Sequence, residues 1–112
     1  MIRIKRVYDE PMAEDGKRIL VDRLWPRGIA KDKARIDEWL KEIAPSDELR
    51  KWFGHDPERW EEFRERYRRE LEAKAEQMDG LRQLMAGGTV TLLFAARDEE
   101  HNNAVVLKEI LE

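Results

Sequence analysis

The sequence predicts an α/β domain in which a small three-stranded, mostly parallel sheet is flanked by about five helices. Two largely apolar segments, Arg18–Leu24 and Thr89–Ala96, have the continuous hydrophobic character of strands that are covered on both faces. Residues 2–8 alternate between apolar and basic side chains, which is typical of a half-exposed strand near a sheet edge. Between the second and third strands, apolar residues recur at three- and four-residue spacing and predict a helical block.

Composition places the chain among packed globular domains. Its 112 residues suit a single domain that spans residues 1–112. Charged residues make up 42% of the chain, far above the usual ~25%, but acids and bases interleave and the net charge is only -3. Four Trp, three Phe and two Tyr supply the large apolar side chains that a disordered polyelectrolyte lacks. A surface this dense in Glu, Arg and Lys is also typical of ion-pair networks in heat-adapted proteins.

The residue types that are missing exclude several classes of function. The chain has no cysteine, which rules out disulfides, thiol nucleophiles, Cys-ligated zinc and iron–sulfur clusters. Its two histidines are far apart in the sequence, and we predict neither a metal site nor a cofactor. No apolar run approaches the ~18 residues of a membrane span, and the N-terminus is too polar for a signal peptide. We therefore expect a cytoplasmic protein with no membrane partner. An isoelectric point near 5.6 argues against nucleic acid as a partner.

The connection between the first two predicted strands leaves their relative direction open. It contains the turn signal Asp15-Gly16 and is shorter than a full crossover helix. The two strands therefore form either an antiparallel hairpin or a parallel pair joined by a reduced crossover. The second strand has to end at Pro26, because proline cannot donate to the ladder. A central parallel pair with helices on both faces is the simplest arrangement.

The helical block divides at recognisable caps. Asp32 is expected to cap a helix from Lys33 to Ala44, which Pro45 ends. The apolar stripe of that helix consists of Ile36, Trp39, Leu40 and Ile43. Ser46 is expected to cap a second helix.

Three further helices are predicted after Gly54, a suitable C-cap. The longest begins at Asp56-Pro57 and extends to about Gln77. After a break at Asp79 or Gly80, a short helix runs to the glycines that precede the third strand. Asn102 or Asn103 caps the final helix, and His101 lies in a charged loop where we expect it to be solvated.

Polar residues follow two of the predicted strands at the point where each strand ends. After the second strand come Asp22, Arg23, Trp25 and Arg27, and after the third come Arg97, Asp98, Asn102 and Asn103. Ligands of open parallel sheets bind beyond the carboxyl ends of the strands. The planar guanidinium of arginine holds a phosphate or carboxylate group at two points. We therefore predict a pocket for a small anionic ligand at this edge of the sheet.

Arg27 is the strongest single candidate for contact with a ligand, since it lies past Pro26 and is free of the strand. Alternation along a strand turns Asp22 and Arg23 to opposite faces, so only a twist or a bulge would bring both into one pocket. Asp22 is a candidate catalytic base, or a group that orients an arginine. The alternative is a structural ion pair that stabilises the turn after the strand.

The remaining candidates each have a functional and a structural interpretation. Trp25 either stacks on a ring of the ligand or belongs to the core. His55 is a candidate general acid or base, or a loop histidine with local hydrogen bonds, and Arg50 is close enough in sequence to join an anion site. Asn102 and Asn103 open the last helix, whose free N–H groups attract anions, but capping requires only one of them.

Several segments, taken together, carry a resemblance to a known family. They are Val21–Gly28, Ala44–Pro45–Ser46 with Leu49–Arg50, Trp52–Pro57, Phe63 with Tyr67 and Glu70–Leu71, and Asn102–Ala104. The chain resembles, over nearly its whole length, the YeaO-like branch of the bacterial family catalogued as domain of unknown function 488. The resemblance implies a compact bacterial α/β domain and no established reaction. Longer members commonly carry a Cys-His-Arg cluster near the last strand. Because this chain has no cysteine, thiol chemistry cannot be carried over to it.

Two hypotheses about function follow. The first is a pocket that binds a small anionic ligand, with or without hydrolase or transferase activity. The alternative is a non-enzymatic module for protein or nucleic acid, suggested by an arginine cluster on the longest predicted helix. Its members are Arg64, Arg66, Arg68 and Arg69. Interleaved glutamates weaken the alternative, because such runs are usually solvated faces. A concave pocket at the strand ends would favour the first hypothesis, and a flat apolar patch the second.

Overall fold

The computed structural model describes the whole chain, residues 1–112, as a mixed α/β fold with four parallel strands and four α-helices. In chain order the elements are β1 (Ile2–Arg6), β2 (Lys17–Leu20), β3 (Glu38–Trp39), α1 (Asp47–Phe53), α2 (Trp60–Glu72), α3 (Ala75–Ala86), β4 (Val90–Phe94) and α4 (Asn103–Leu111). Short 3-10 turns lie at Ala13–Asp15, Lys41–Ile43 and Pro57–Arg59. None of the helices combines the length and apolar character needed to cross a bilayer.

The strand order is β1-β4-β2-β3, and every neighbouring pair is parallel. β4 lies inside the sheet, where Leu92 pairs with Ile4 on one side and with Ile19 on the other. The interior position predicted for this apolar segment and the edge position predicted for β1 are therefore confirmed. The hairpin alternative for the first two strands is excluded, because β1 and β2 both pair in parallel with β4 and not with each other.

The helix predicted from Lys33 to Ala44 is wrong, so the sheet has four strands rather than three and the fold has four helices rather than about five. This segment forms a turn, the short strand β3 and a 3-10 turn. It is held against β2 by parallel pairing and by Asp37, whose Oδ2 accepts the N–H of Arg18 at 2.8 Å. Trp39 packs on one face of the sheet and Leu40, the residue after β3, packs on the other, as successive residues of an extended chain do. Tertiary pairing overrides an apolar spacing that also fits a helix.

The break in the helical block also differs from the prediction. α3 runs unbroken through Asp79 and Gly80, and the chain instead breaks between α2 and α3. At that break Lys74 has non-helical backbone angles, φ -120° and ψ 41°, and its ammonium donates to the carbonyls of Glu42 and Ala44. The break therefore ties the helices to the turn that follows β3.

The predicted caps of α1 and α4 are confirmed. Ser46 Oγ accepts the N–H of Leu49 at 3.2 Å, and Gly54 ends α1 in the left-handed conformation with φ 55°. Asn102 Oδ1 accepts the N–H of Val105 at 3.1 Å. These local signals were sufficient because a cap depends on residues only a few positions apart.

Helices cover one face of the sheet, which corrects the expectation that they cover both. The main core lies between this face and the four helices, and its central side chains are Ile19, Leu92, Phe63, Tyr67, Leu81 and Leu107. The opposite face carries Val7, Leu20 and Leu93, against which Trp25, Ile29, Ile36 and Trp39 pack. Three of these residues belong to the segment between β2 and β3, and Trp39 belongs to β3 itself. A largely irregular segment therefore takes the place of a second helical layer.

A buried charge network lies near the amino ends of the strands. Asp15 is 2% exposed and Arg18 4% exposed, and a guanidinium nitrogen of Arg18 lies 2.5 Å from Asp15 Oδ2. Lys5 Nζ is 3.2 Å from the same carboxylate, and Thr91 Oγ1 donates to the Asp15 carbonyl at 2.7 Å. A buried carboxylate with this many partners positions the turn that starts β2.

Gly16 should tolerate no side chain in this turn. Its φ is +63°, and an added Cβ would lie 2.2 Å from the carbonyl oxygen of Thr89. We expect Gly16→Ala to lower the free energy of unfolding by about 2–4 kcal/mol, measured by urea titration. Gly80→Ala is the matched control, because no atom lies within 4 Å of its added Cβ in α3. That change should raise the free energy of unfolding by about 0.5–1 kcal/mol. Equal effects of the two substitutions would contradict this account of the turn.

Candidate functional site

The segment that follows β2 leaves the sheet earlier than the sequence predicts. β2 ends at Leu20 rather than Leu24, although the N–H of Val21 still donates to the Leu93 carbonyl at 3.1 Å. Residues 22–28 have no strand geometry, so the alternation argument does not apply to them. The expectation that Asp22 and Arg23 avoid a common pocket is therefore wrong, and both line the same cavity.

This cavity, of about 370 Å³, lies beyond the carboxyl ends of β2 and β4. All eight residues singled out from the sequence line it: Asp22, Arg23, Trp25, Arg27, Arg50, His55, Asn102 and Asn103. Arg97 and Asp98, which also follow the third predicted strand, do not line it. The irregular segment after β2, the end of α1 and the start of α4 thus converge on one concave site.

Asp22 provides the only carboxylate in the cavity wall. Its Oδ2 accepts the N–H of Ala95 at 2.9 Å, and its Oδ1 accepts the side-chain amide of Asn103 at 3.1 Å. It forms no salt bridge, so the ion pair considered from the sequence is absent. Burial raises the pKa of Asp22 above its ordinary value of 3.8, although these hydrogen bonds and the charges of His55 and Arg50 oppose the rise.

Three arginines give the cavity a positive wall in a chain whose net charge is -3. Arg27 is exposed, and its guanidinium has no hydrogen-bond or salt-bridge partner in the chain. Arg23 is half-buried, and its Nε donates to the Pro45 carbonyl at 3.2 Å. Arg23 and Arg50 lie 3.7 and 3.4 Å from one carboxylate oxygen of Asp47. Arg27 is therefore the arginine with the most free donors.

The two histidines of the chain both line the cavity, in different environments. His55 has a positive φ of 57° and its ring makes no hydrogen bond, so no neighbour orients it for proton transfer. His101 was expected to be solvated and is instead half-buried. Its Nδ1 lies 2.9 Å from Asp98 Oδ2, and its ring meets the edge of Trp60 at 5.2 Å. A hydrogen-bonded ring against an aromatic wall is a structural position.

Asn102 and Asn103 have separate tasks at the start of α4. Asn102 is buried and caps the helix. Asn103 donates its side-chain amide both to the Val21 carbonyl, at 2.9 Å, and to Asp22. Asn103, which is not needed for capping, therefore links α4 to the segment after β2. Since both asparagines line the cavity, the amino-terminal end of α4 borders it.

Trp25 is shared between the core and the cavity. Its indole N–H donates to the Ile29 carbonyl at 2.7 Å, and its ring packs edge-on against Trp39 with centroids 5.5 Å apart. The cavity wall also contains residues that sequence reasoning missed, including Tyr8, Phe53, Phe63 and Ala95. Tyr8 follows β1, and the parallel direction of that edge strand would have placed it here. The Tyr8 hydroxyl donates to the Arg27 carbonyl at 3.0 Å.

The acids and histidines of the chain do not cluster at the site. No group of three or more His, Asp or Glu side chains in the chain is arranged to hold a metal ion. The chemistry available in the cavity is therefore that of guanidinium groups, one carboxylate, one free imidazole and an apolar wall.

Comparison with known proteins identifies the family. The chain is 46% identical over 110 residues to the uncharacterized protein YeaO of Escherichia coli, and the aligned region covers 98% of this chain and 96% of that protein. It is 44% identical over 110 residues to an uncharacterized protein of Mycobacterium tuberculosis, with 98% and 92% covered. No solved structure matches the chain. The family model described as "Inactive DUF488-N3 subclade" matches residues 1–112. The chain therefore belongs to the DUF488 family, within the subclade that this model describes.

Proposed function

We propose that the cavity binds a small anionic ligand that carries a phosphate or carboxylate group. The observation behind this proposal is the charge of the cavity wall, where three arginines face a single carboxylate. A cavity of about 370 Å³ is also within the size range of small-molecule sites. Its position beyond the carboxyl ends of parallel strands is the usual one for ligands of such sheets.

Arg27 is the anchor of the proposed site. Its guanidinium can offer its full set of donors to an anion, because no other group in the chain occupies them. The terminal nitrogens of Arg23 extend the same positive wall, since only its Nε bonds the Pro45 carbonyl. The amino-terminal end of α4, which borders the cavity, adds a favourable dipole.

We propose binding without turnover. The description of the family model as inactive favours this role. His55 has no hydrogen-bond partner to orient it, and each carboxylate oxygen of Asp22 already accepts a hydrogen bond. His55 therefore lacks the orienting contact that a general base usually has, and the two bonds of Asp22 give it a structural role. Hydrolase or transferase activity stays a prediction that no contact in the cavity specifically favours.

The alternative role, a non-enzymatic module that binds protein or nucleic acid, has no comparable support. The arginines of α2 are paired within the chain: Arg66 with Glu62, Arg69 with Glu65, and both Arg64 and Arg68 with Glu109. Paired guanidinium groups are less available for phosphates of a nucleic acid, since their charge is already neutralised locally.

A thermal-shift screen should detect ligand binding and its dependence on Arg27. The screen would use inorganic phosphate, sugar phosphates, nucleotides and small carboxylates at constant ionic strength. A ligand that binds the folded chain raises the melting temperature. Arg27→Ala should weaken binding by about 10- to 100-fold, because charge-assisted hydrogen bonds contribute roughly 1.5–3 kcal/mol.

Arg97→Ala is the matched control for this screen. Arg97 is exposed, follows the neighbouring strand and does not line the cavity, so its loss removes the same charge without removing a cavity donor. The response of this variant should equal that of the wild type. The proposal fails if no anion shifts the melting temperature, or if the Arg27 and Arg97 variants respond alike.

The unpaired carboxylate in the cavity also supports a functional role. A half-buried charge without an ion pair lowers stability, and such groups concentrate at functional sites. The pKa of Asp22 is higher in the folded chain than its ordinary 3.8, because burial disfavours the charged form. Between pH 3.8 and the higher pKa of Asp22 in the folded chain, the folded state binds more protons than the unfolded state. The contribution of Asp22 to stability is therefore largest at low pH and falls as the pH rises from 3.8 through the folded-state pKa.

Urea titrations of Asp22→Asn across this pH range should reveal the shift. The free energy of unfolding of the wild type, relative to that of the variant, should decline as the pH rises from 3.8. Asp98→Asn is the control, because hydrogen bonds from the Glu100 N–H and His101 lower the pKa of Asp98 below 3.8. The contribution of Asp98 to stability is complete above pH 3.8 and is lost only at lower pH. The difference in unfolding free energy between the wild type and Asp98→Asn should therefore stay constant over this range. A flat difference for Asp22 as well would refute the pKa shift.

A further inference from the structure

We infer that Asp22 makes the cavity selective for organic anions that also carry hydroxyl groups, such as sugar phosphates, over simple anions and alkyl analogues of the same length. This inference rests on the proposed function, because it concerns the chemistry of the ligand that the same cavity takes. It adds a selection against ligands that bind the arginines but offer no donor to the remaining acceptor positions of Asp22.

The first step is that Asp22 retains acceptor capacity toward the cavity. An ionised carboxylate has about four lone-pair positions on its two oxygens. Within the chain, Ala95 occupies one position on Oδ2 and Asn103 occupies one on Oδ1. Each oxygen therefore has room for one more donor, and the residue lines the cavity wall. No lysine or arginine fills these positions, since Asp22 forms no salt bridge.

The second step is that the carboxylate penalises the wrong ligand. A simple anion that binds the arginines also approaches the negative charge of Asp22 and displaces the water that solvates it. A ligand hydroxyl at that place donates to the carboxylate and replaces the lost water. Sites that hold a buried polar group for a ligand hydroxyl discriminate strongly against analogues without the hydroxyl, because the group is then left unpaired.

The third step is that the cavity suits an organic skeleton. Phe53, Phe63 and Ala95 contribute apolar surface between the polar groups, and Trp25 adds part of its ring. Inorganic phosphate would leave much of the 370 Å³ unfilled. The carbon-bound hydrogens of a sugar can pack on such a wall while its hydroxyls and phosphate engage Asp22 and Arg27.

Isothermal titration calorimetry with three probes tests the inference: inorganic phosphate, pentyl phosphate and ribose 5-phosphate. The two organic probes carry the same charged group on five-carbon skeletons and differ chiefly in the oxygens of the sugar. The wild type should bind ribose 5-phosphate about 10- to 100-fold more tightly than pentyl phosphate.

In Asp22→Asn this preference should fall below about threefold, and inorganic phosphate should bind more tightly than to the wild type, because the opposing charge is gone. Glu99→Gln is the matched control, since Glu99 is an exposed acid in the loop after β4 and lies outside the cavity wall. That variant should keep the preference of the wild type.

The outcomes separate the inference from the proposed function. If the wild type binds pentyl phosphate as tightly as ribose 5-phosphate, the hydroxyl selection is overturned while anion binding stands. If Asp22→Asn keeps the full preference, the role of Asp22 is overturned. If no probe binds, the proposed function fails and the inference fails with it. If Asp22→Asn does not fold, the affinities of the wild type for deoxy analogues of ribose 5-phosphate test the hydroxyl selection instead. Loss of one hydroxyl must then account for most of the preference.

Discussion

The candidate site depends on the hydrogen bonds that Asp22 makes where the sheet ends. Its carboxylate accepts the N–H of Ala95, just after β4, and the side chain of Asn103, the first residue of α4. Its carbonyl accepts the indole N–H of Trp39 at 2.7 Å, which adds β3. Because β2 ends at Leu20, these bonds replace the strand pairing that would otherwise hold the following segment. They give the arginines of the cavity defined positions relative to α4.

Two acids of the fold, the buried Asp15 and the half-buried Asp22, show how differently a carboxylate can be used. Although burial raises the pKa of Asp15, the N–H of Met12 and the cations Arg18 and Lys5 lower it overall. The charge of Asp15 is balanced by these cations, and its role is to hold the amino end of the sheet together. Asp22, at the carboxyl end, has no ion pair and lines the same cavity as Arg27, whose guanidinium is also unpaired. The buried ion pair of Asp15 and Arg18 thus lies at one end of the sheet, and the unpaired Asp22 and Arg27 lie at the other.

Local chemistry explains how much of this structure was predictable from the sequence. The caps Ser46 and Asn102 and the interior strand β4 depend on residues near one another in the chain. The cavity location followed from strand direction, because polar residues after parallel strands must share one edge of the sheet. Strand β3 was missed because the apolar spacing around Trp39 suits a helix as well as a strand, and only pairing with β2 decides between them. Tyr8 was missed for the same reason, since the position of β1 beside β4 comes from long-range pairing.

A crystal structure of the chain grown with ribose 5-phosphate would test the central claim most directly. The account predicts a phosphate group within hydrogen-bonding distance, about 2.7–3.2 Å, of the Arg27 guanidinium, inside the cavity beyond β2 and β4. A cavity that stays empty at saturating ligand, or a phosphate bound only elsewhere on the surface, would contradict the account.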